Sequence, residues 1–560
     1  MAFLAAANAT FPSKINGPGM TTLRQSVQAQ RRADRLDLVA DVLVIGGGPA
    51  ATWAALAATG AGARVVVVDK GYLGTSGATA PSNTGTWFAP PGAEREATIE
   101  RRQKLNGGLA IPRCVDRMLH GAWQGLHALA DWGYKFPTTD SGKPYLTNLR
   151  GPDYMAFMRR RVLRAGVAVL DHHPALELLS ESGVIAGAAG VDRQRNRPWC
   201  IRAGAVVLAS GGCAFGERML GATGLTGDGY LMAMEVGATL SGMEFSAQYA
   251  CAPKNTSLSK GVPFGWASYY RADGTRIETA NQERFAPVAK ALLEGPVWGC
   301  FDKGIPELNG WLRQGQPNCF LPHDRAGIDP FKQKFEVGLR CEGTVRGVGG
   351  IKLVADDCST GVPGLYAAGD AASREHVTGA ITGGGGPNSS WAIASGNWAG
   401  AAAACYAARE GGNIATRNVT AMGRAGLRPA KVAHPDTTAA AIVQTVRDEF
   451  LPIDHNFYRN DSTLRKSLET LDRTWCDVRD HLAAKDADTG VDAVRAREAA
   501  AMVATSRWAF ASGLARAESR GMQRRIDRPA TDPQYFCAFE ATGLDHIEIR
   551  RCAIADAAPA

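Results

Sequence analysis

The chain has 560 residues, 45% hydrophobic and 21% charged, with 62 Lys and Arg against 54 Asp and Glu for a formal charge of +8. That length outgrows one ordinary core, so roughly two to four domains are expected, and no apolar run is long enough to span a membrane. The charge is mildly basic and no Lys/Arg run carries interleaved aromatics, which argues against nucleic-acid binding and suits an anionic substrate or an acidic redox partner.

Residues 1–37 have no basic n-region and only a short apolar run. They read as a disordered or extended leader, with Met20 as an alternative start. From Ala40 to Gly71 the chain reads ADVLVIGGGPAATWAALAATGAGARVVVVDKG. The first run of branched and small apolar residues predicts a buried parallel strand. It ends in Gly46-x-Gly48-x-x-Ala51. Gly46 permits the tight turn, Gly48 lets backbone approach a pyrophosphate, and Ala51 lets the next helix pack on the strand. The helix N-terminus offers N–H groups and partial positive charge. A second strand, ARVVVVDK, brings Asp69 and Lys70 about 20 residues on, where an acid accepts ribose hydroxyls. Together these predict a dinucleotide site.

Two further strand-and-glycine signals follow. AGAVVLASGG, Ala203 to Gly212, ends in Gly211-Gly212, and GVPGLYAAGDAA, Gly361 to Ala372, ends in Gly369-Asp370. Then Gly383 to Gly386, including Gly385, can bring backbone N–H groups close to a planar ring, with Asn388 or Ser389 as N-cap of the following helix. Gly396, Ala399, Gly400 and Ala403 suit close packing of that helix. Its N-terminus would stabilise an anion formed on reduction, or the stretch is a glycine-rich connection before a core helix. The 12 cysteines stand singly, without CxxC, so neither a bound metal nor a self-contained iron–sulfur cluster is expected. Free buried thiols suit a reducing, cytoplasmic setting.

The order of the three glycine signals resembles two-dinucleotide-binding flavoproteins, in which the acid matching Asp370 holds the ribityl or pyrophosphate part of FAD. GLTGDGYLMAMEVGATLSGMEF, which contains Asp228, resembles the T-G-D-G-x-x-M-A-x-x-x-G-A segment of the succinate dehydrogenase/fumarate reductase flavoprotein family (FAD-dependent oxidoreductase 2). ERFAPVAKALL resembles that family's capping segment, and RAESRGMQRRIDRP its C-terminal motif, with Gln523 where histidine is usual. Within the family, TSGATA, REHVTGAITGG and EFSAQYACAPKNTSLSKGVPFGWASYY are most similar to the adenylylsulfate reductase alpha-subunit branch. The resemblance spans about residues 38 to 530.

It implies an α/β fold: a Rossmann-like two-dinucleotide-binding FAD domain (38–245 and 346–425), an inserted α+β capping domain (246–345), a helical domain (437–530) and a C-terminal tail (531–560). Arg424 to Thr438 reads as the linker. FAD is expected to be non-covalent, because Ser76-Gly77-Ala78 stands where succinate dehydrogenases carry the flavin-bonded histidine. The family's active-site groups are largely replaced. One histidine falls at Tyr249, the proton-donating arginine at Cys300 and a second histidine near Val345, while the late arginine gives way to AITGGGG. The branch's own asparagine and arginine fall near Trp87 and Cys251. Fumarate and adenylylsulfate reduction are therefore not expected.

His376, flanked by Arg374 and Glu375, is the candidate proton carrier, or else a structural histidine. Tyr249 and Cys300 are candidates by position; Arg346 and Lys254 could hold a carboxylate or sulfate, or be solvated charges. Trp87, Trp266, Tyr269 and Tyr270 could wall the substrate or form capping-domain core, and RGMQRRIDR reads as a basic, solvated or phosphate-contacting turn. The expectation is an FAD-dependent oxidoreductase doing hydride chemistry on a small organic or oxoanion substrate, with a ferredoxin-like iron–sulfur partner. Alternatives are an oxidase or desaturase that uses dioxygen, as L-aspartate oxidase does, and a flavin-bound electron-transfer or assembly subunit without chemistry of its own.

Overall fold

Branched apolar residues on both faces make β1 (Leu36–Ile45) a central strand, and its last four residues are buried. The computed structural model describes residues 23, 25, 26, 28, 30 and 34–554, leaving out 106, 139–140, 260, 280–284, 383–384, 412–413, 435 and 485–489. Most of the leader thus lies outside the described residues. After β1 come helix α1 (Pro49–Gly60) and the all-valine strand β2 (Val65–Val68), parallel to β1. Helix α2 (Ala93–Leu105) precedes β3 (Ala168–Leu170), which adds to β2 in parallel. β4 (Ala175–Glu181), β5 (Val184–Asp192) and β6 (Arg197–Leu208) form an antiparallel meander whose last strand returns parallel to β1. β7 (Leu365–Ala367) pairs in parallel with the end of β6. Helix α3 (Gly385–Glu410) then crosses α1, and β8 (Thr420–Ala421) closes the edge on β4. The order is β8-β4-β5-β6-β1-β2-β3, with β7 beside β6.

The small residues of α3 do what their spacing predicts. A Cβ at Gly400 would lie 2.1 Å from the carbonyl oxygen of Ala54, so the helix backbones meet with no side chain between them. That contact brings the first turn of α3 over the C-terminal ends of β1, β6 and β7, the crevice where ligands of open parallel sheets bind.

Residues 249–341 fold around a second, antiparallel sheet of five strands. It has its own core, in which the Phe301 ring meets Phe264 and Phe335 edge-on at 5.2 and 5.1 Å. Two long helices, α4 (Asp461–His481) and α5 (Gly490–Ala515), follow, α4 started by Asn460, whose side chain accepts from the Thr463 N–H at 2.9 Å. Phe450 ties this helical part to the parallel-sheet domain by stacking between Phe215 and Phe510. Beyond residue 530 the chain is more than a tail. Ala538–Thr542 and Glu548–Cys552 form a hairpin that pairs with Leu240–Ser241, burying Phe539 and Ala541.

The segment RGMQRRIDR is solvated only at its end, 526–528; its earlier residues and those just before it are mostly buried. Arg516, Glu518, Gln523 and Arg525 are all at most 2% exposed. Arg516 donates to Glu244 at 2.8 Å and to Glu518 at 2.9 Å, and Arg520 donates to Glu518 at 2.6 Å. Gln523 accepts from Arg459 and donates to the Gly513 carbonyl at 2.6 Å. From sequence such charges look solvated; here Arg516, Arg520 and Arg525 find internal partners, the condition under which burial is tolerated.

Burial pushes two carboxyls of this region, Glu244 and Glu375, up to about 7, each also raised by a neighbouring carboxylate. Glu375 accepts from the Ser241 hydroxyl at 2.7 Å. Below the ordinary value near 4.5 the folded and unfolded states hold these protons equally. As pH rises toward 7 only the unfolded state releases them, so stability falls across that window. Glu375→Gln keeps an acceptor for Ser241 and removes one of the two titrations. Comparing urea midpoints at pH 5 and pH 8, the variant is expected to lose about 1–2 kcal/mol less than the native chain over the interval. Equal losses would show that the carboxyl is ionised throughout.

Candidate active site

A cleft of about 400 Å³ opens where β1, β6 and β7 end. The strand ends are tied together there: Ala209 N–H donates to the Ile45 carbonyl and Ala368 N–H to the Leu208 carbonyl, both at 2.9 Å. The two glycines of the first turn serve different purposes. Gly46 has φ +130°, and a Cβ on it would lie 2.2 Å from the Ala209 carbonyl oxygen, so the fold itself requires glycine. At Gly48 a Cβ would meet no protein atom within 4 Å, and the residue borders the cleft. Its missing side chain leaves room for a ligand. Gly48 is also the N-cap of α1, with no side chain capping it and Pro49 next, so the first N–H groups of the helix are free to bind an anion.

Asp69 borders the cleft and accepts from the Ser76 hydroxyl. Burial raises its carboxyl above the ordinary range, partly opposed by that hydrogen bond. Lys70 also lines the cleft, but its ammonium lies 2.7 Å from Asp228 and 3.0 Å from Glu498. Both ion pairs raise its pKa against the cost of burial. Asp228 therefore sits behind Lys70 rather than on the wall. Glu498 does line the cleft, and it comes from α5, in the helical part. No local motif marks it; only a charge at the right turn of a distant helix could have suggested it.

Ser76, Gly77, Ala78, Gly211, Gly369, Asp370, Asn388 and Ser389 all reach the cleft wall. Ala51 and Gly212 support it from behind: Ala51, in the first turn of α1, is fully buried, and a Cβ on Gly212 would lie 2.7 Å from Thr344. Gly385 opens α3. Since α3 starts there, Asn388 and Ser389 stand in its first turn rather than at the N-cap, and Gly383 and Gly384 lie outside the described residues. The Asn388 Oδ1 accepts from the Thr382 hydroxyl at 2.7 Å, which fixes the amide orientation. Its Nδ2 and the Ser210 hydroxyl, both on the cleft wall, are buried without a protein partner. Each such orphan costs about 1–3 kcal/mol unless a ligand satisfies it. With the uncapped helix, the open space at Gly48 and the ribose-type acid Asp69, these orphans fit FAD. No histidine, cysteine or tyrosine lines the cleft among the described residues, which fits non-covalent FAD.

Of the candidate catalytic residues, Arg346 reaches the cleft, beside Val345. Its guanidinium is 23% exposed and steadied by Glu342 at 3.3 Å. The other three do not. Tyr249 is buried, its hydroxyl donating to the Leu451 carbonyl at 2.9 Å, so it pins the helical part instead. Cys300 lies in the second sheet with its thiol on the Pro330 carbonyl, and burial pushes it up to about 11, an inert thiol. His376 sits on a short helix whose carbonyl accepts from the Ile111 N–H at 2.8 Å; burial lowers its pKa, so it is neutral at pH 7. Among the other candidates, Lys254 is paired with Glu336, Tyr269 is capping-sheet core, Tyr270 donates to Asp302, and Trp87 is clamped through its backbone by Ser390. Trp266 packs against the capping-sheet core.

Comparison with known proteins agrees with this geometry. The family model for the FAD binding domain matches residues 41–262, and the one for the fumarate reductase flavoprotein C-terminus matches 451–554. L-aspartate oxidase from Mycobacterium tuberculosis is 25% identical over 563 residues, covering 90% of this chain and 96% of that one. A fumarate reductase (CoM/CoB) chain from Methanothermobacter marburgensis is 29% identical over 223 residues, 36% of this chain and 41% of that one. Quinol fumarate reductase from E. coli shares the fold with TM-score 0.76 at 20% identity, over 92% of this chain and 97% of that one. Adenylylsulfate reductase from Archaeoglobus fulgidus does so with TM-score 0.72 at 19% identity, over 93% and 96%. Among the described residues, no helix is long and apolar enough to cross a membrane, and no group of three or more His, Cys, Asp or Glu is placed to hold a metal.

Proposed function

Since the chain belongs to the succinate dehydrogenase/fumarate reductase flavoprotein family and is an FAD-dependent oxidoreductase, we propose that it removes two electrons from a small anionic amine, with Arg346 holding the anion. The first-turn glycines and the N-terminus of α1 would take the pyrophosphate of FAD, Asp69 the ribose hydroxyls, Asp370 the ribityl chain, and Ser210 and Asn388 further acceptors. When bound, FAD supplies a two-electron acceptor.

The observation that carries the proposal is Arg346. Lys70 is already neutralised by two carboxylates, whereas Arg346 spends one nitrogen on Glu342 and keeps N–H donors for a ligand. Glu342 is itself fixed by the Ser259 hydroxyl at 3.1 Å, which holds the guanidinium in place. The chemistry favours C–N over C–C oxidation. Breaking a second C–H bond needs a base near neutral pH, and no histidine borders the cleft among the described residues. An amine releases its N–H proton to water unaided, so hydride loss from the adjacent carbon needs no protein base. Likeness to L-aspartate oxidases along 90% of the chain favours dioxygen as the final acceptor over an iron–sulfur partner.

The test offers L-aspartate and other small amino acids to the FAD-loaded protein in air and measures hydrogen peroxide. Turnover with an acidic amino acid is expected. Arg346→Met is expected to raise KM roughly thirtyfold, about 2 kcal/mol, with kcat and FAD content little changed. Reduction by substrate followed by slow re-oxidation in air would shift the acceptor to an iron–sulfur protein. No reduction by any amine would reject the substrate class and favour a role in electron transfer alone.

A further inference from the structure

Arg102, on α2, carries its charge into the protein without a counter-ion. Its Nη2 donates to the carbonyls of Ile381 and Thr382 at 2.9 and 2.8 Å. Its guanidinium lies 5.2 Å from the Trp87 ring centroid, and its Nε is buried without a partner. Among the described residues no carboxylate lies within ion-pair distance of it. Burial alone draws its pKa down to about 10, which leaves it charged at pH 7.

Both supports of this cation connect to the same turn of α3. Thr382, whose carbonyl Arg102 holds, donates its hydroxyl to Asn388 at 2.7 Å. Trp87, under the guanidinium, donates its N–H to the Ser390 hydroxyl at 2.9 Å and accepts from it at 3.2 Å. Asn388, Ser389 and Ala392 of that turn form the cleft wall. Ile381, Thr382 and Trp87 are thus held together near the helix start by one guanidinium. Its full charge adds to the partial positive charge of the helix terminus.

Arg102 is only partly exposed, and a partly buried cation without a counter-ion is disfavoured, a cost that an anion set against it would relieve. We propose that Arg102 is a positioning residue that favours the reduced, anionic form of the flavin by placing its charge behind the first turn of α3. This rests on FAD occupying the cleft. An anionic substrate is the other candidate counter-charge, and measurement without substrate separates the two.

The experiment first measures FAD content, then the two-electron midpoint potential of the bound flavin without substrate, in the native chain, Arg102→Lys and Arg102→Gln. Both substitutions retain a donor for the two carbonyls, and only the second removes the charge. Arg102→Gln is expected to weaken binding of the reduced relative to the oxidised cofactor about tenfold, which lowers the potential by about 30 mV. Arg102→Lys is expected to stay near the native value. If Arg102→Gln does not retain FAD, Trp87→Glu serves, setting a carboxylate beside an intact Arg102, with the same fall expected. An unchanged potential in the neutralised variant, or an equal fall in Arg102→Lys, overturns the proposal. A native chain without FAD overturns the occupancy on which it rests.

Discussion

Gly48→Ala is expected to fold normally and to lose FAD, whereas Gly46→Ala is expected to lose the fold. Gly48 has φ −82° and ψ −173°, an extended conformation any residue adopts, and its Cβ would meet nothing of the protein. Alanine at this N-cap costs a few tenths to about 1 kcal/mol in helix stability. The added methyl stands where the diphosphate must approach the backbone, so FAD is expected to bind about 100-fold more weakly, near 3 kcal/mol. At Gly46, alanine would be forced into left-handed backbone and against a carbonyl oxygen 2.2 Å away. Strain at such a φ costs about 1–3 kcal/mol before the steric overlap, and the sum is expected to exceed about 4 kcal/mol. Thermal unfolding and FAD titration on the two variants read these effects separately. A Gly48→Ala protein that binds FAD as the native chain does would place the diphosphate elsewhere.

Arg516→Met is expected to be the most damaging change far from the cleft. The guanidinium is fully buried between Glu244 and Glu518, donates to the Tyr535 and Cys537 carbonyls at 2.7 Å each, and lies 4.2 Å from the Phe539 ring centroid. It therefore joins three parts of the chain: the FAD domain at Glu244, the segment after α5, and the C-terminal hairpin. Methionine fills much of the volume but strands the Glu244 carboxylate and two carbonyls, while Glu518 keeps its pairing with Arg520. Breaking a buried network from one side costs about 3–5 kcal/mol. Adding Glu244→Leu to Arg516→Met is expected to recover about 1–2 kcal/mol, because one stranded charge is removed with its partner. A loss below about 1 kcal/mol in urea unfolding would mean that water replaces the guanidinium and that the network is solvated.

The parts of this protein that were legible in its sequence are those in which a local run carries its own physics. Three strand-to-glycine turns, an acid after the second strand and a small-faced helix are each set by neighbours in the chain, and they place the cleft. The rest depends on distance in sequence. Lys70 reads as a free cation until Glu498, 428 residues away, arrives beside it. RGMQRRIDR reads as solvated because four arginines in nine residues usually are. Arg102 gives no signal, since an arginine among exposed neighbours on a charged helix looks like surface. Tyr249 and Cys300 were picked out by a resemblance, which places a backbone and not a side chain. A buried phenol turns to the nearest acceptors, here the carbonyls of Phe450 to Pro452. Of the candidates offered as anion holder or proton carrier, Arg346 reaches the cleft wall, while His376 does not: its ring nitrogen Nδ1 is buried away from the cleft.

The cleft ending at Asn388 is expected to hold FAD without a covalent bond, and acid precipitation of the purified protein reads this out. The yellow colour is expected in the supernatant at close to one FAD per chain, falling sharply for Gly48→Ala protein purified alongside. Colour retained in the pellet would contradict this reading, since no histidine, cysteine or tyrosine is among the described residues of the cleft wall.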